Sequence, residues 1–124
     1  TEETRDDRIS ELIREAALEG VRDELPHSIA VVVEEVVEVD PDGDAFTPVE
    51  PGTGRLVVRA TLFVERDSQK GIIIGRGGSR LKEVGSRARS EINALLGRKV
   101  HLDLRVKVAK EWQRDPKQLG RLGF

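Results

Sequence analysis

A chain of 124 residues has room for one domain with one modest core. Charged residues make up 35% of it and aromatics only 3%, so that core must be aliphatic, and with no cysteine there is neither a disulfide nor a thiolate metal site. No apolar run approaches the ~20 residues that span a bilayer, and Thr1 to Arg8 is too polar and acidic for a secretory signal. A cytoplasmic location is the expectation. The net charge is only −2, but it is unevenly spread. Residues 1–54 carry four basic and sixteen acidic side chains, a balance of −12, and residues 55–124 carry seventeen and seven, a balance of +10. Between Arg66 and Ser90 seven basic residues stand against two acidic ones. A polyanion would bind the basic part, although a merely solvated charged surface gives the same counts.

In chain order, Ile9, Leu12, Ile13, Ala16, Ala17 and Val21 recur at three- and four-residue spacing, which predicts an amphipathic helix. Asp6 or Asp7 is the expected N-cap, Gly20 weakens the last turn, and Pro26 is the expected stop. The run Ile29 to Val39 is too β-branched for a good helix and reads as a long strand. Residues 39–55, rich in proline, glycine and acidic side chains, read as a long hairpin connection. In the second strand Leu56, Val58, Ala60, Leu62 and Val64 share one face, with Val57, Arg59, Thr61, Phe63 and Glu65 on the other. After a glycine-rich loop, Leu81, Val84, Ala88, Ile92 and Leu95 mark a second amphipathic helix from Ser79 to Leu96, with Gly97 at the C-cap position. Val100, Leu102, Leu104, Val106 and Val108 alternate with polar residues, the pattern of a strand with one buried face. Residues 110–124 form a basic tail containing Trp112. The expected fold is α+β in the order helix, strand, strand, short helix, helix, strand. Its three-stranded mixed sheet is covered on one face by helices, and its third strand runs parallel to its second.

The segment from Lys70 through Gly71, Ile72, Ile73, Ile74, Gly75, Arg76, Gly77, Gly78, Ser79 and Arg80 to Lys82 carries the most functional information. Its glycines let backbone approach a ligand closely. The start of the Ser79 helix offers N–H groups and a dipole that favour a phosphate, and Lys70, Arg76, Arg80 and Lys82 add positive charge. Two rival phosphate loops are excluded. No Gly-Lys dipeptide exists for a Walker A loop, and position 80, where a dinucleotide fingerprint starting at Gly75 wants glycine, is arginine. A plain glycine-rich turn between two helices accounts for Gly-x-x-Gly alone. The preceding isoleucines, the following amphipathic helix and the basic setting favour a single-stranded RNA clamp.

That context resembles the KH domain, whose Gly-x-x-Gly loop grips the backbone of about four nucleotides. The element order is similar to the type II arrangement. Four segments, Glu24 to Val31, Val64 to Gly78, Leu95 to Val100 and Val106 to Trp112, resemble the C-terminal KH domain of the Era family of ribosome-assembly GTPases, as does the ending Leu122-Gly123-Phe124. The resemblance implies binding of the 3′ end of small-subunit (16S) ribosomal RNA during assembly of the 30S subunit. It further implies a GTPase domain of the same parent protein outside this sequence, peripheral association with the inner membrane through that parent, no cofactor, and no DNA partner. A KH domain of another ribosomal or transcription-associated protein is the alternative. Two departures stand out: the connection at residues 40–54 is longer and more acidic than is usual in the family, and Arg76 stands where lysine is frequent.

On this reading Gly75–Gly78 and the Ser79 helix hold phosphates, with Lys70, Arg76 and Arg80 adding charge. Bases lie over Ile72, Ile74, the Leu81 helix and a neighbouring strand. Ile72 and Ile74 suit core as well as groove floor. Arg87, four residues from both Glu83 and Glu91, suits pairing along its helix as well as RNA contact. Trp112 suits a packing anchor for the tail or a base stacker, and Lys107, Lys110 and Arg114 could extend the phosphate track. The scarcity of aromatics argues against the stacking platforms of RRM or OB domains. His27 and His101 have no neighbours at metal-ligand spacing, and no nucleophile, base and orienting group assemble into a catalytic set, so this chain is not expected to be an enzyme.

Overall fold

The computed structural model describes residues 2–25, 29–40 and 54–109. The acidic connection over residues 41–53, Pro26, His27 and the tail with Lys110, Trp112 and Arg114 lie outside the described residues. The elements are α1 (Glu2–Leu18), β1 (Ile29–Val39), β2 (Arg55–Val64), α2 (Asp67–Ile74), α3 (Ser79–Leu96) and β3 (Val100–Val108), with a 3-10 turn at Arg76–Gly78 before α3. This is the expected order.

Helix α1 departs from expectation at both ends. It begins at Glu2, ahead of the expected Asp6/Asp7 cap, and stops at Leu18 rather than running on to Pro26. Gly20 takes a positive φ of 78°, and the Val21 N–H donates to the Leu18 carbonyl at 3.0 Å. The glycine expected only to weaken the last turn therefore ends the helix, because a left-handed residue at that point reverses the chain. Beyond it, the Leu25 N–H bonds to the Val21 carbonyl at 3.1 Å, and the Leu25 side chain returns to the core fully buried.

The sheet order is β1-β2-β3. β1 and β2 are antiparallel, from Ile29 opposite Val64 to Val39 opposite Arg55. β2 and β3 are parallel, from Leu56 opposite Val100 to Val64 opposite Val108, as a helical crossover requires. A shift in register between Val33 and Glu35 leaves Glu34 as the extra residue of a bulge. Both glutamates then reach β2 side chains on the same face: Arg59 pairs with Glu35 at 2.7 Å, and the Thr61 hydroxyl donates to the Glu34 carboxylate.

Helices cover the other face, and the core lies between. Ile9, Ile13, Ala17 and Leu18 of α1, Leu62 and Val64 of β2, Ile73 of α2 and Ala88 and Ile92 of α3 are all essentially inaccessible to water. Central β2 is buried along its entire helix-facing row, as its alternation predicted. Edge strand β3 is buried at Val100 and Val106, while Leu102, Leu104 and Val108 remain half-exposed. At the end of the sheet where the acidic connection departs, Arg98 donates to Glu38 at 2.9 Å and to the Gly54 carbonyl at 2.7 Å. Glu38 also accepts from the Gly54 N–H at 3.2 Å. This network ties the end of β1 and the start of β2 to the α3–β3 turn.

Candidate nucleic-acid interface

The loop is built by what flanks it. The Gln69 side-chain oxygen accepts the backbone N–H groups of Glu65 and Arg66, both at 3.0 Å, which turns the chain from β2 into α2. In α2 the three isoleucines divide: Ile73 is fully buried, whereas Ile72 and Ile74, for which core and groove floor were both open, are half-buried against the core. α2 ends at Gly75, with φ 73° and ψ 178°, whose N–H bonds to the Gly71 carbonyl at 2.9 Å. Here the loop passes so close to α3 that a Cβ on residue 75 would lie 2.6 Å from the Arg80 Cβ and 3.0 Å from its backbone nitrogen. Only glycine fits that approach.

Arg76, Gly77 and Gly78 then make one tight turn, closed by the Gly78 N–H on the Gly75 carbonyl at 3.2 Å. Gly77 (φ 63°) and Gly78 (φ 80°) are left-handed, and nothing lies within 4 Å of where their side chains would be. The tip of the loop is thus bare backbone facing open space. Gly78 is the N-cap of α3, and no side chain caps the helix. The Ser79 N–H bonds to the Arg76 carbonyl, and the other first-turn N–H groups lie at the positive end of the helix dipole with no side chain capping them.

The cations around the loop fall into two sets. Arg76 and Lys82 are exposed, Lys70 is half-buried, and none of the three has an ion pair among the described residues. Arg80 and Arg87 are engaged elsewhere. The Arg80 guanidinium donates through Nη2 to the carbonyls of Ala17 and Glu19, at 2.7 and 2.8 Å. It caps the end of α1, which has no basic residue in its own last turn. Its Nε is buried without a partner. Arg87 pairs with Glu19, beyond the end of α1, rather than with Glu83 or Glu91 of its own helix. Arg80, expected to add charge for RNA, and Arg87, for which pairing along its helix and RNA contact were both open, tie α1 to α3. Exposed Gly71 and Ser79 flank the loop on its two sides.

Along the side of α3 turned to β3, the half-buried Leu81 lies one turn before Gly85, and Gly85 faces Leu104 of the edge strand. Together with Ile72 and Ile74 these residues give an apolar strip beside the loop. Sequence reasoning supplied Leu81 and an unnamed strand; the pairing of Gly85 with Leu104 comes from the structure alone. Among the described residues, no helix is long and apolar enough to cross a membrane.

The sequence pattern of the KH domain matches residues 24–113. GTPase Era of Mycobacterium bovis (strain BCG / Pasteur 1173P2) and of Mycobacterium tuberculosis (strain ATCC 25618 / H37Rv) are each 63% identical to this chain over all 124 residues. The chain spans 38% of the length of these curated relatives. A crystal structure of Era in complex with MgGDPNP and nucleotides 1506–1542 of 16S ribosomal RNA superposes with a TM-score of 0.75 and 43% identity, covering 93% of this chain and 35% of that one. Aquifex aeolicus Era bound to GDP and aluminium fluoride gives the same values. The mixed three-stranded sheet, the one-sided helical layer and the glycine loop between α2 and α3 agree with these likenesses: the chain belongs to the KH domain family.

Proposed function

We propose that this chain binds single-stranded RNA, and that its target is the 3′ end of 16S ribosomal RNA, as the RNA-binding part of an Era-type GTPase acting on the 30S subunit. The observation that carries this reading is the bare, uncapped turn Gly75–Gly78 at the start of α3, with the cations Lys70, Arg76 and Lys82 near it. The Gly77 N–H and the first-turn N–H groups of α3 beyond Ser79 offer donors to phosphates, and the three cations supply charge. Bases lie along Ile72, Ile74 and Leu81, where the apolar strip gives contact area, and polar groups at the β3 edge read their hydrogen-bonding edges. Arginine at position 76 serves a phosphate as well as lysine does, with two directed donors. The parent protein's GTPase domain and a cytoplasmic setting, peripheral to the inner membrane, complete the reading.

The test is binding of an RNA corresponding to nucleotides 1506–1542 of 16S ribosomal RNA by the parent chain and by the double variant Arg76→Asp, Gly77→Asp. Aspartate is among the residues that best tolerate the left-handed φ at position 77, so the fold should survive, which circular dichroism checks. Two carboxylates in place of a cation and a bare turn should weaken binding about a hundredfold. Equal affinity of parent and variant would refute the clamp.

A further inference from the structure

Strand β3 divides its residues between two faces. Val100, Leu102, Leu104, Val106 and Val108 turn to the helices, so His101, Asp103, Arg105 and Lys107 stand on the opposite face of the sheet. The register sets Asp103 beside Arg59, Arg105 beside Thr61 and Lys107 beside Phe63 of β2. Three carboxylates of this face are engaged with β2: Arg59 holds Glu35 at 2.7 Å and lies 3.8 Å from Asp103, and Glu34 accepts from the Thr61 hydroxyl. Arg105 and Lys107 are exposed, and neither has an ion pair among the described residues. The face therefore leaves two unpaired cations at its β3 edge, although carboxylates share it.

Their place along the strand gives these cations a use. Helix α3 runs from the glycine loop back to the start of β3, so the loop lies toward the other end of that strand, by Lys107. There Val108 stands opposite Val64, the last residue of β2, from which the chain turns into α2, and α2 packs beside β3. Alternate residues of a strand are about 6.6 Å apart, a spacing close to that of successive phosphates in an extended polynucleotide. Phe63 packs into a small apolar cluster with Ala30, Val32 and Ala109, so this face offers charge rather than a ring on which a base could stack. We propose that Arg105 and Lys107 form a second RNA-contacting site, on the sheet face away from the helices, that holds phosphates of single-stranded RNA running on from the loop around the β3 edge. A Gly-x-x-Gly loop grips about four nucleotides, and these two residues hold the strand beyond them. This rests on the RNA-binding reading above.

The 124-residue chain is compared with the double variants Arg105→Gln, Lys107→Gln and Arg105→Glu, Lys107→Glu by thermal unfolding and by anisotropy titration over a range of salt. The ligands are the RNA of nucleotides 1506–1542 and a fragment of it, about six nucleotides long and found by truncation, that fills only the loop. The glutamine variant should keep the parent's Tm and bind the long RNA about tenfold more weakly. Its slope of log affinity against log salt should flatten by about 1.4, the release of two counterions from a single strand. The glutamate variant should bind the long RNA more weakly still, and both should hold the fragment within about twofold of the parent. Affinity of the glutamine variant for the long RNA within about twofold of the parent's would overturn the proposal. So would an unchanged salt slope, an equal loss on the fragment, or a lower Tm for the glutamine variant, which would assign the two cations to the fold. If the double variant Arg76→Asp, Gly77→Asp still loses binding, only the Arg105 and Lys107 assignment fails. If that variant also binds like the parent, the RNA reading fails with it.

Discussion

The two long flanks of α3 use similar residues for opposite purposes. Toward α1, Arg80 and Arg87 are consumed inside the protein: one caps the carbonyls of Ala17 and Glu19, the other pairs with the Glu19 carboxylate. Toward the loop, Arg76 has no ion pair among the described residues, and nothing lies within 4 Å of where side chains at Gly77 and Gly78 would be. The acidic first half of the chain explains the difference. Glu19, Glu35 and Glu38 meet Arg87, Arg59 and Arg98 of the basic half. Part of the charge asymmetry in the sequence is thus cancelled within the fold, and Arg76, beside the glycine turn, is among the cations that no described ion pair engages. A count of basic residues overstates a nucleic-acid site unless the internally paired ones are removed.

If the flanks differ in this way, substitutions should sort into those that change stability and those that change binding. The largest effect is expected at Gly75→Ala, where the two flanks join. A Cβ placed 2.6 Å from that of Arg80, on a residue with φ 73°, should cost about 3 kcal/mol in unfolding free energy and displace the loop, so that RNA affinity falls too. Next is Arg80→Ala. Losing two charge-assisted bonds to the α1 carbonyls should cost about 2 kcal/mol, softened by removal of the orphaned Nε. Denaturant unfolding measures this. RNA affinity of the folded protein should stay within about twofold, and a large loss there with little loss of stability would return Arg80 to the binding set.

Much of this was legible in the sequence, and the parts that were not share a physical cause. Element order, the parallel third strand and the buried row from Leu56 to Val64 followed from periodicity, because each strand and helix buries one face. The turn before the Ser79 helix was legible because clustered glycines mark backbone that must take left-handed φ, as Gly77 and Gly78 do. The end of α1 was misplaced because Gly20 and Pro26 are both stop signals and the nearer one acts first. The roles of Arg80 and Arg87 were hidden because their partners at residues 17 and 19 lie more than sixty residues away in sequence. Local spacing offered Glu83 and Glu91 instead.

The finest test of the two flanks compares single arginines. Arg76→Ala removes an exposed cation that has no ion pair among the described residues. Stability should not change, but affinity for the RNA of nucleotides 1506–1542 should fall about fivefold, and the slope of log affinity against log salt should flatten by about 0.7, the release of one counterion from a single strand. Arg87→Ala removes an arginine of the same formal charge whose ion pair with Glu19 is more than half exposed on both sides, 51% and 62%. Such a pair contributes under about 1 kcal/mol, so the unfolding midpoint should move only slightly. Because Glu19 already neutralises that charge, the salt slope should be the parent's. Equal slopes for the two variants would mean that pairing to α1 does not withdraw an arginine from the RNA, and the division between the flanks would fail. A slope change for Arg76→Ala alone would place the phosphate contacts on the loop side of α3 and leave the α1 side to the fold.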